Sequence, residues 1–380
     1  MINQAHFLAA LGAEGVEFFT GVPDSYLNGF CNHLLENVPG SRHIIAANEG
    51  NAIAIAAGYY FSTNTVPLVY MQNSGMGNTL NPLMSLADKN VYSVPLILLI
   101  GWRGEPSTGD WPQHETQGIV TTKLLDMLDI PYVIAPDDDA ELASQVRWAV
   151  AKAKSDKCAV AIIGRKGVFA SEKKANIKDD KYPLCREDAI EAALNALPKD
   201  TIYSATTGRA TRELYFLRER RGEGHDCDFL NVGSMGHASS VALGIAVANK
   251  HRNVVCLDGD AAAIMHMGAF AMASKVDVPN FIHIVLNNGA HESVGGQPSV
   301  GQMIDFTQIA KGTGYATASS FVSTREEISA ALKELSGKGK AAFLDIRVHK
   351  GLNGTLPPLK ISHSELIGGL MGELSCKSDF

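Results

Sequence analysis

The sequence predicts an α/β protein made of two domains, each a mainly parallel sheet flanked by helices. Three observations carry this expectation. Short apolar, β-branched runs alternate with longer helical patterns along the 380 residues, the order that builds parallel sheets with crossover helices. The runs are continuously apolar rather than alternating, as strands covered on both faces require. A charged, Pro-containing stretch without apolar periodicity lies between two halves of similar size and reads as a linker. The expected domains are therefore 1–168 and 186–380, with 169–185 between them.

In the first half the strand candidates are 43–48, 67–73, 95–102, 132–135 and 158–164. In the second they are 201–205, 229–233, 254–258, 281–288 and 342–348. Helical patterns fall at 49–61, 139–154, 187–196, 239–250 and 324–335. No short repeat is present, and the sequence alone does not relate the two halves. The last 30 residues, rich in Gly, Leu and Ser, read equally as a lid, an interface arm or a tail.

Composition narrows the function classes. Hydrophobic residues make up 46% and charged residues 19%, which excludes a largely disordered chain. Thirty-three basic against 40 acidic side chains leave a net charge of −7 without a dominant basic patch, so nucleic acid is not an expected partner. The longest apolar run, 94–100, is too short to span a bilayer, and the N-terminus carries no signal-peptide pattern. Six scattered cysteines without a CxxC read as free thiols of a reducing compartment. The expected location is the cytoplasm.

The chemistry begins at Cys256-Leu257-Asp258-Gly259-Asp260-Ala261, where an apolar strand runs into an acidic turn and then a helix. A second apolar strand ends in Asn287-Asn288-Gly289. The spacing from Asp260 to Asn288 accommodates a crossover helix and a strand, so both polar tips would meet at the C-terminal edge of neighbouring strands. A carboxylate, a carboxamide oxygen and a main-chain carbonyl are hard ligands. Magnesium takes few of these and completes its shell with water and phosphate oxygens. The bland alternative is an N-cap Asp and an ordinary Asn-Asn-Gly turn.

This pattern resembles the Gly-Asp-Gly…Asn-Asn motif of thiamine diphosphate-dependent enzymes, with Ala261 where the second glycine usually stands. The resemblance implies Mg2+ bound by Asp260, Asn288 and the Ala290 carbonyl, with Gly259 and Ala261 beside the cofactor. Read one frame earlier, Asp258 takes the ligand position. The segment Asn48-Glu49-Gly50 before a small-residue helix resembles the family's activating glutamate, so Glu49 is implied to bind N1′ of the aminopyrimidine. Such a carboxyl is favoured in an apolar setting, and the surrounding Ala and Ile residues supply one. Glu49 at that junction equally suits a first-turn acid favoured by the helix dipole.

Further segments match around these. Gly21-Val22-Pro23-Asp24 resembles the family's Gly-Val-Pro turn, making Asp24 a candidate active-site acid, with helix capping as its plain alternative. Asn73-Ser74-Gly75-Met76-Gly77 resembles the Ser-Gly-Pro-Gly loop, with Ser74 implied in cofactor binding. Pro112-Gln113-His114 implies His114 as proton donor or substrate contact. Thr207 and Gly208 stand where diphosphate oxygens would be bound. Gly233-Ser234-Met235-Gly236 implies Ser234 beside the cofactor and Met235 as the wedge that bends it.

The resemblance covers both halves. The length leaves no room for the middle domain of the larger relatives. Together they imply a decarboxylase of a small 2-oxo acid carrying a second anionic group. 3-Phosphonopyruvate is the first choice, sulfopyruvate the second, and a non-catalytic cofactor-binding subunit the reading from another class. Cations for the phosphonate are sought among Arg103, Arg209, His291 and Lys350. A homodimer or larger homo-oligomer with shared sites is also implied.

Overall fold

The computed structural model describes residues 1–169 and 181–375. It divides into two units, Met1–Lys174 with Val294–Gln297, and Ala175–Ser293 with Pro298–Phe380. Of the expected linker 169–185, residues 170–180 lie outside the described residues, and Phe169 is buried in the core of the first unit.

The first unit holds six parallel strands. Their order across the sheet is His43–Ile45, Phe19–Gly21, Leu68–Gln72, Leu96–Gly101, Ala159–Gly164 and Tyr132–Ile134. The second unit also holds six. Their order is Ala316–Thr317, Ala342–Arg347, Phe281–Asn287, Val254–Gly259, Ile202–Ala205 and Asp228–Leu230, again all parallel. Counted in chain order within each unit, both sheets run 2-1-3-4-6-5. The halves are one topology used twice, a relation their residues do not announce.

Packing explains why the strands read as continuous apolar runs. Every residue of Leu96–Gly101 and of Ala159–Gly164 is buried. Ile97 and Leu99 join one core layer with Phe7, Phe30 and Phe169, while Leu96, Leu98 and Ile100 join the other with Ala52, Ile53 and Ala56. A strand clad by helices on both faces has no position at which water would favour a polar residue.

The helices begin where the sequence supplies caps. Asn48 accepts from Asn51 N at the head of Glu49–Thr63. Thr324 and Glu327 form a capping box at the head of Arg325–Leu335, and such boxes satisfy two otherwise orphaned N–H groups. Of the strands in the two six-stranded sheets, two escape the residue pattern, Phe19–Gly21 and Ala316–Thr317. At three and two residues they are too short for periodicity to register. His114 differs more. It lies in the first turn of the helix Pro112–Met127 rather than in a loop, and Pro112 at the first helical position explains the start. No described helix is long and apolar enough to cross a membrane. The five described cysteines are free.

Because all strands in a sheet are parallel, the turns that follow them gather at one edge, where α/β proteins bind ligands. The candidate residues follow strand ends in both units.

Candidate active site in two half-sites

In the first unit the helix Glu49–Thr63 follows the edge strand His43–Ile45 and opens with Glu49, which is 5% exposed. Asn78 Nδ2 donates to Glu49 Oε2 at 2.7 Å. A Cβ on Gly75 would fall against the Glu49 carboxyl, so the loop after Leu68–Gln72 can approach only because residue 75 has no side chain. That loop is fixed from the other side by Asn73. Its Nδ2 donates to Arg103 O (2.8 Å) and Thr121 Oγ1 (2.9 Å), and its Oδ1 accepts from Arg103 N (3.1 Å).

Asp24 follows Phe19–Gly21 and is fully buried. Its Oδ2 accepts from Tyr26 N at 3.0 Å, while Oδ1 has no hydrogen-bond partner among the described residues. Burial pushes its carboxyl up to about 6, against the Tyr26 N–H and the charge of Arg103; desolvation disfavours the ionised form. Arg103 itself is committed elsewhere. It grips Asp110 with Nε–Oδ2 at 2.7 Å and Nη2–Oδ1 at 2.6 Å and lies over the Tyr26 ring, 4.9 Å from its centroid. Burial raises the Asp110 carboxyl, but Arg103 and the N–H groups of Trp111 and Gly104 outweigh it and hold it well below the usual range. Two carboxylates of one loop cluster are thus driven apart, one toward its neutral form and one firmly charged, the arrangement that assigns acid and base roles. Burial together with Arg103 lowers the His114 ring below the usual histidine range, against the opposing pull of Asp110 and Gln117. Ser74 is exposed and its hydroxyl accepts from Gln72 Nε2 at 2.5 Å.

In the second unit Leu286 stands beside Gly259 in the sheet. That register brings Asp260 and Asn287-Asn288 to the same edge. Asp260 opens the helix Asp260–Met265 and is 2% exposed. Ser299 Oγ donates to its Oδ2, and a Cβ on Gly301 would fall against the same carboxyl. Burial pushes Asp260 up to about 6, the signature of a carboxylate short of positive charge. Ser299 N donates to Gly289 O (3.0 Å), and Asn287 Nδ2 donates to Gly301 O (2.8 Å). The turn 299–301 therefore straps the two tips together. Asn288 is buried; its Oδ1 accepts from Ala290 N at 3.1 Å, leaving a second lone pair, and its Nδ2 donates to Glu292 Oε2 at 3.0 Å. Asp258 is committed inside the sheet, where His283 Nε2 lies 3.2 Å from its Oδ2, so the Asp260 frame leaves the freer oxygen donors at the edge. An under-compensated carboxylate, a carboxamide oxygen and a nearby carbonyl fit a hard divalent cation.

The remaining expected residues occupy neighbouring turns. Thr207 and Gly208 follow Ile202–Ala205, with Gly208 at φ +98°. Ser234 takes a positive φ of 47° without being glycine, a strained conformation that the surroundings impose. Met235 beside it is half-buried. Of the four cations considered for the phosphonate, Arg103 is held by Asp110 and Arg209 lies 2.9 Å from Glu292. Burial lowers His291 to about 4, which leaves it neutral at neutral pH. Lys350 is half-buried and, among the described residues, has no carboxylate partner. Residue types alone did not single out Asn78, Asp110, Glu292, Ser299 or Gly301. Their roles arise from side-chain contacts across turns that a linear pattern does not pair.

Two family models match the chain. "Thiamine pyrophosphate enzyme, N-terminal TPP binding domain" covers residues 3–125, and "Thiamine pyrophosphate enzyme, C-terminal TPP binding domain" covers 207–346. The chain is 31% identical to phosphonopyruvate decarboxylase of Streptomyces viridochromogenes, over 96% of this chain and 93% of that one. It is 32% identical to phosphonopyruvate decarboxylase of Streptomyces hygroscopicus, over 83% and 80%. It is 27% identical to sulfopyruvate decarboxylase of Methanosarcina acetivorans, over 92% of each.

Proposed function

The chain belongs to the thiamine pyrophosphate (thiamine diphosphate) enzymes, as a decarboxylase of that family, and from this premise we propose that it converts 3-phosphonopyruvate to phosphonoacetaldehyde and CO2 with the help of Mg2+. The observation that carries the proposal is the joint presence, in one chain akin to phosphonopyruvate decarboxylases over nearly its whole length, of the Glu49 corner and the Asp260–Asn288 corner. When bound, the cofactor supplies a carbon nucleophile and a sink for the electron pair released with CO2.

Each residue then has a task. Glu49, held by Asn78 and pressed on by Gly75, holds the proton at N1′ of the cofactor's pyrimidine. Asp260, Asn288 and the Ala290 carbonyl would hold Mg2+, Thr207, Gly208, Ser234, Gly259 and Ala261 would bind the diphosphate end of the cofactor, and Met235 would support its bend. Asp24, with its carboxyl near 6 and one oxygen unpartnered, can deliver a proton close to neutral pH, which general acid catalysis requires. His114 lines the same cluster as a neutral substrate contact. Lys350 is the cation left to meet the phosphonate, since Arg103 and Arg209 already face carboxylates. A homo-oligomer belongs to this reading, and sedimentation of the purified protein tests it.

Sulfopyruvate is the second reading, favoured by the likeness to a sulfopyruvate decarboxylase over 92% of the chain. Steady-state CO2 release from 3-phosphonopyruvate, sulfopyruvate and pyruvate, with and without Mg2+ and cofactor, separates them. The highest kcat/KM is expected on 3-phosphonopyruvate, and a preference for sulfopyruvate overturns the first choice.

A further inference from the structure

Glu292 stands one turn beyond Asn288, its side chain 10% exposed, and more donors converge on it than on any candidate ligand. Oε2 accepts from Asn288 Nδ2 and from Arg186 Nη1, each at 3.0 Å. Oε1 accepts from Gly351 N at 2.6 Å and faces Arg209 Nη1 at 2.9 Å as an ion pair. Arg186 is buried and itself fixed, with Nε–Oε2 at 2.5 Å and Nη2–Oε1 at 2.8 Å to Glu213. Arg186 and Arg209 thus face Glu213 and Glu292, with Arg212 close by, and a charge buried in such a set is costly to leave unpaired.

Two consequences follow from the geometry. A carboxamide can turn either end toward a cation, and only its oxygen can bind one. Two contacts set that choice together: Ala290 N donates to Oδ1, and the hydrogen bond from Nδ2 to Glu292 keeps the amide nitrogen on the side of the carboxylate. The same carboxylate also binds the backbone at Gly351, which has φ +109° and opens a stretch, 352–362, without helix or strand. This stretch is held by Arg212 Nη1 to Leu356 O at 3.0 Å, a long contact from Asn353 Nδ2 to Asp188 at 3.4 Å, a bond between Tyr215 and the Lys360 backbone, and Leu359 and Ile361 packed against the core, while Ser362 bonds Glu365 of the helix that follows.

We propose that Glu292 is a positioning residue: it orients Asn288 for the cation and ties the order of the segment after Gly351 to occupancy of that corner. The inference rests on Asn288 being a metal ligand, as proposed above. Partners that orient a ligand typically carry roughly 10- to 100-fold of metal affinity. Coupling of this kind is reciprocal, so a bound cation should order the segment as much as the segment supports the cation.

The test uses the full chain with thiamine diphosphate and Mn2+ in place of Mg2+, read by calorimetry and by the rate of tryptic cleavage after Lys360. In the wild type, cofactor with Mn2+ should slow that cleavage, and cofactor alone should not. Glu292→Gln should weaken Mn2+ roughly 10- to 100-fold and abolish the protection, with Glu292→Asp intermediate in both. Should Glu292→Gln not fold by circular dichroism, Glu292→Asp decides through the same two readouts. Wild-type Mn2+ affinity and protection in a folded variant overturn the role of Glu292 alone. Absence of Mn2+ binding in the wild type overturns the metal site itself.

Discussion

The two units share one strand order and use it for opposite electrostatic ends. At the edge of the first, Asp24 is buried with one oxygen unpartnered and is driven toward its neutral form. The cation near it, Arg103, is spent on Asp110. At the edge of the second, Glu213 and Glu292 are matched by arginines, and Asp260 is left facing the turn where a cation is proposed. In the proposed function the first edge would manage protons and the second the anionic groups and their counter-ion. A shared topology fixes where side chains gather, while the residues placed there decide the chemistry. One device is common to both: a glycine backbone pressed against the key carboxylate, Gly75 on Glu49 and Gly301 on Asp260.

The sharpest way to break this division is to exchange a carboxylate for its amide in each unit. Glu49→Gln keeps the shape but not the acidity. CO2 release should fall by roughly 10²- to 10⁴-fold, the usual scale of a lost proton-transfer group, while Mn2+-dependent cofactor binding persists. Asp260→Asn should do the reverse in order of cause, losing metal-dependent cofactor binding first and turnover as a consequence, as calorimetry would show. Equal binding defects in both variants would erase the distinction between the units.

Smaller effects sharpen it. Gly75→Ala and Gly301→Ala each place a methyl against a carboxylate. Gly75→Ala should lower kcat, and Gly301→Ala should raise the Mg2+ concentration needed for half-maximal activity. A swap of these phenotypes would misassign the two edges.

Asp24 offers a test by pH. Its carboxyl is raised from 3.8 to about 6 in the folded protein, so the contribution of Asp24 to stability is fullest below pH 4 and is lost as pH climbs to about 6. Asp24→Asn removes that decline. Its melting temperature relative to the wild type should rise between pH 4 and 6 and stay constant above, with a difference on the order of 3 kcal/mol at neutral pH. A constant difference across that range would contradict the raised carboxyl.

Much of this was legible in the residues. The long strands, the helix at Glu49 and the turn at Asp260 followed from apolar runs, a cap and an acidic break between strand and helix. The short strand Phe19–Gly21 was not legible, because three residues carry no period, although it is what places Asp24. The helix at His114 was hidden by a Gly- and Pro-rich approach that reads as loop. Glu292, Ser299 and Asn78 were invisible for another reason: Ser299 and Asn78 act on residues of other turns or helices, Glu292 draws Arg186, Arg209 and Gly351 to the turn at Asn288, and such contacts form only on folding.

The central claim is that the first unit supplies the proton chemistry and the second the anchoring. It is tested most directly by single-turnover CO2 release from 3-phosphonopyruvate by Glu49→Gln saturated with cofactor and Mg2+. The account predicts full loading of the cofactor and a rate lower by at least about 10²-fold. Wild-type release from the loaded variant would contradict it.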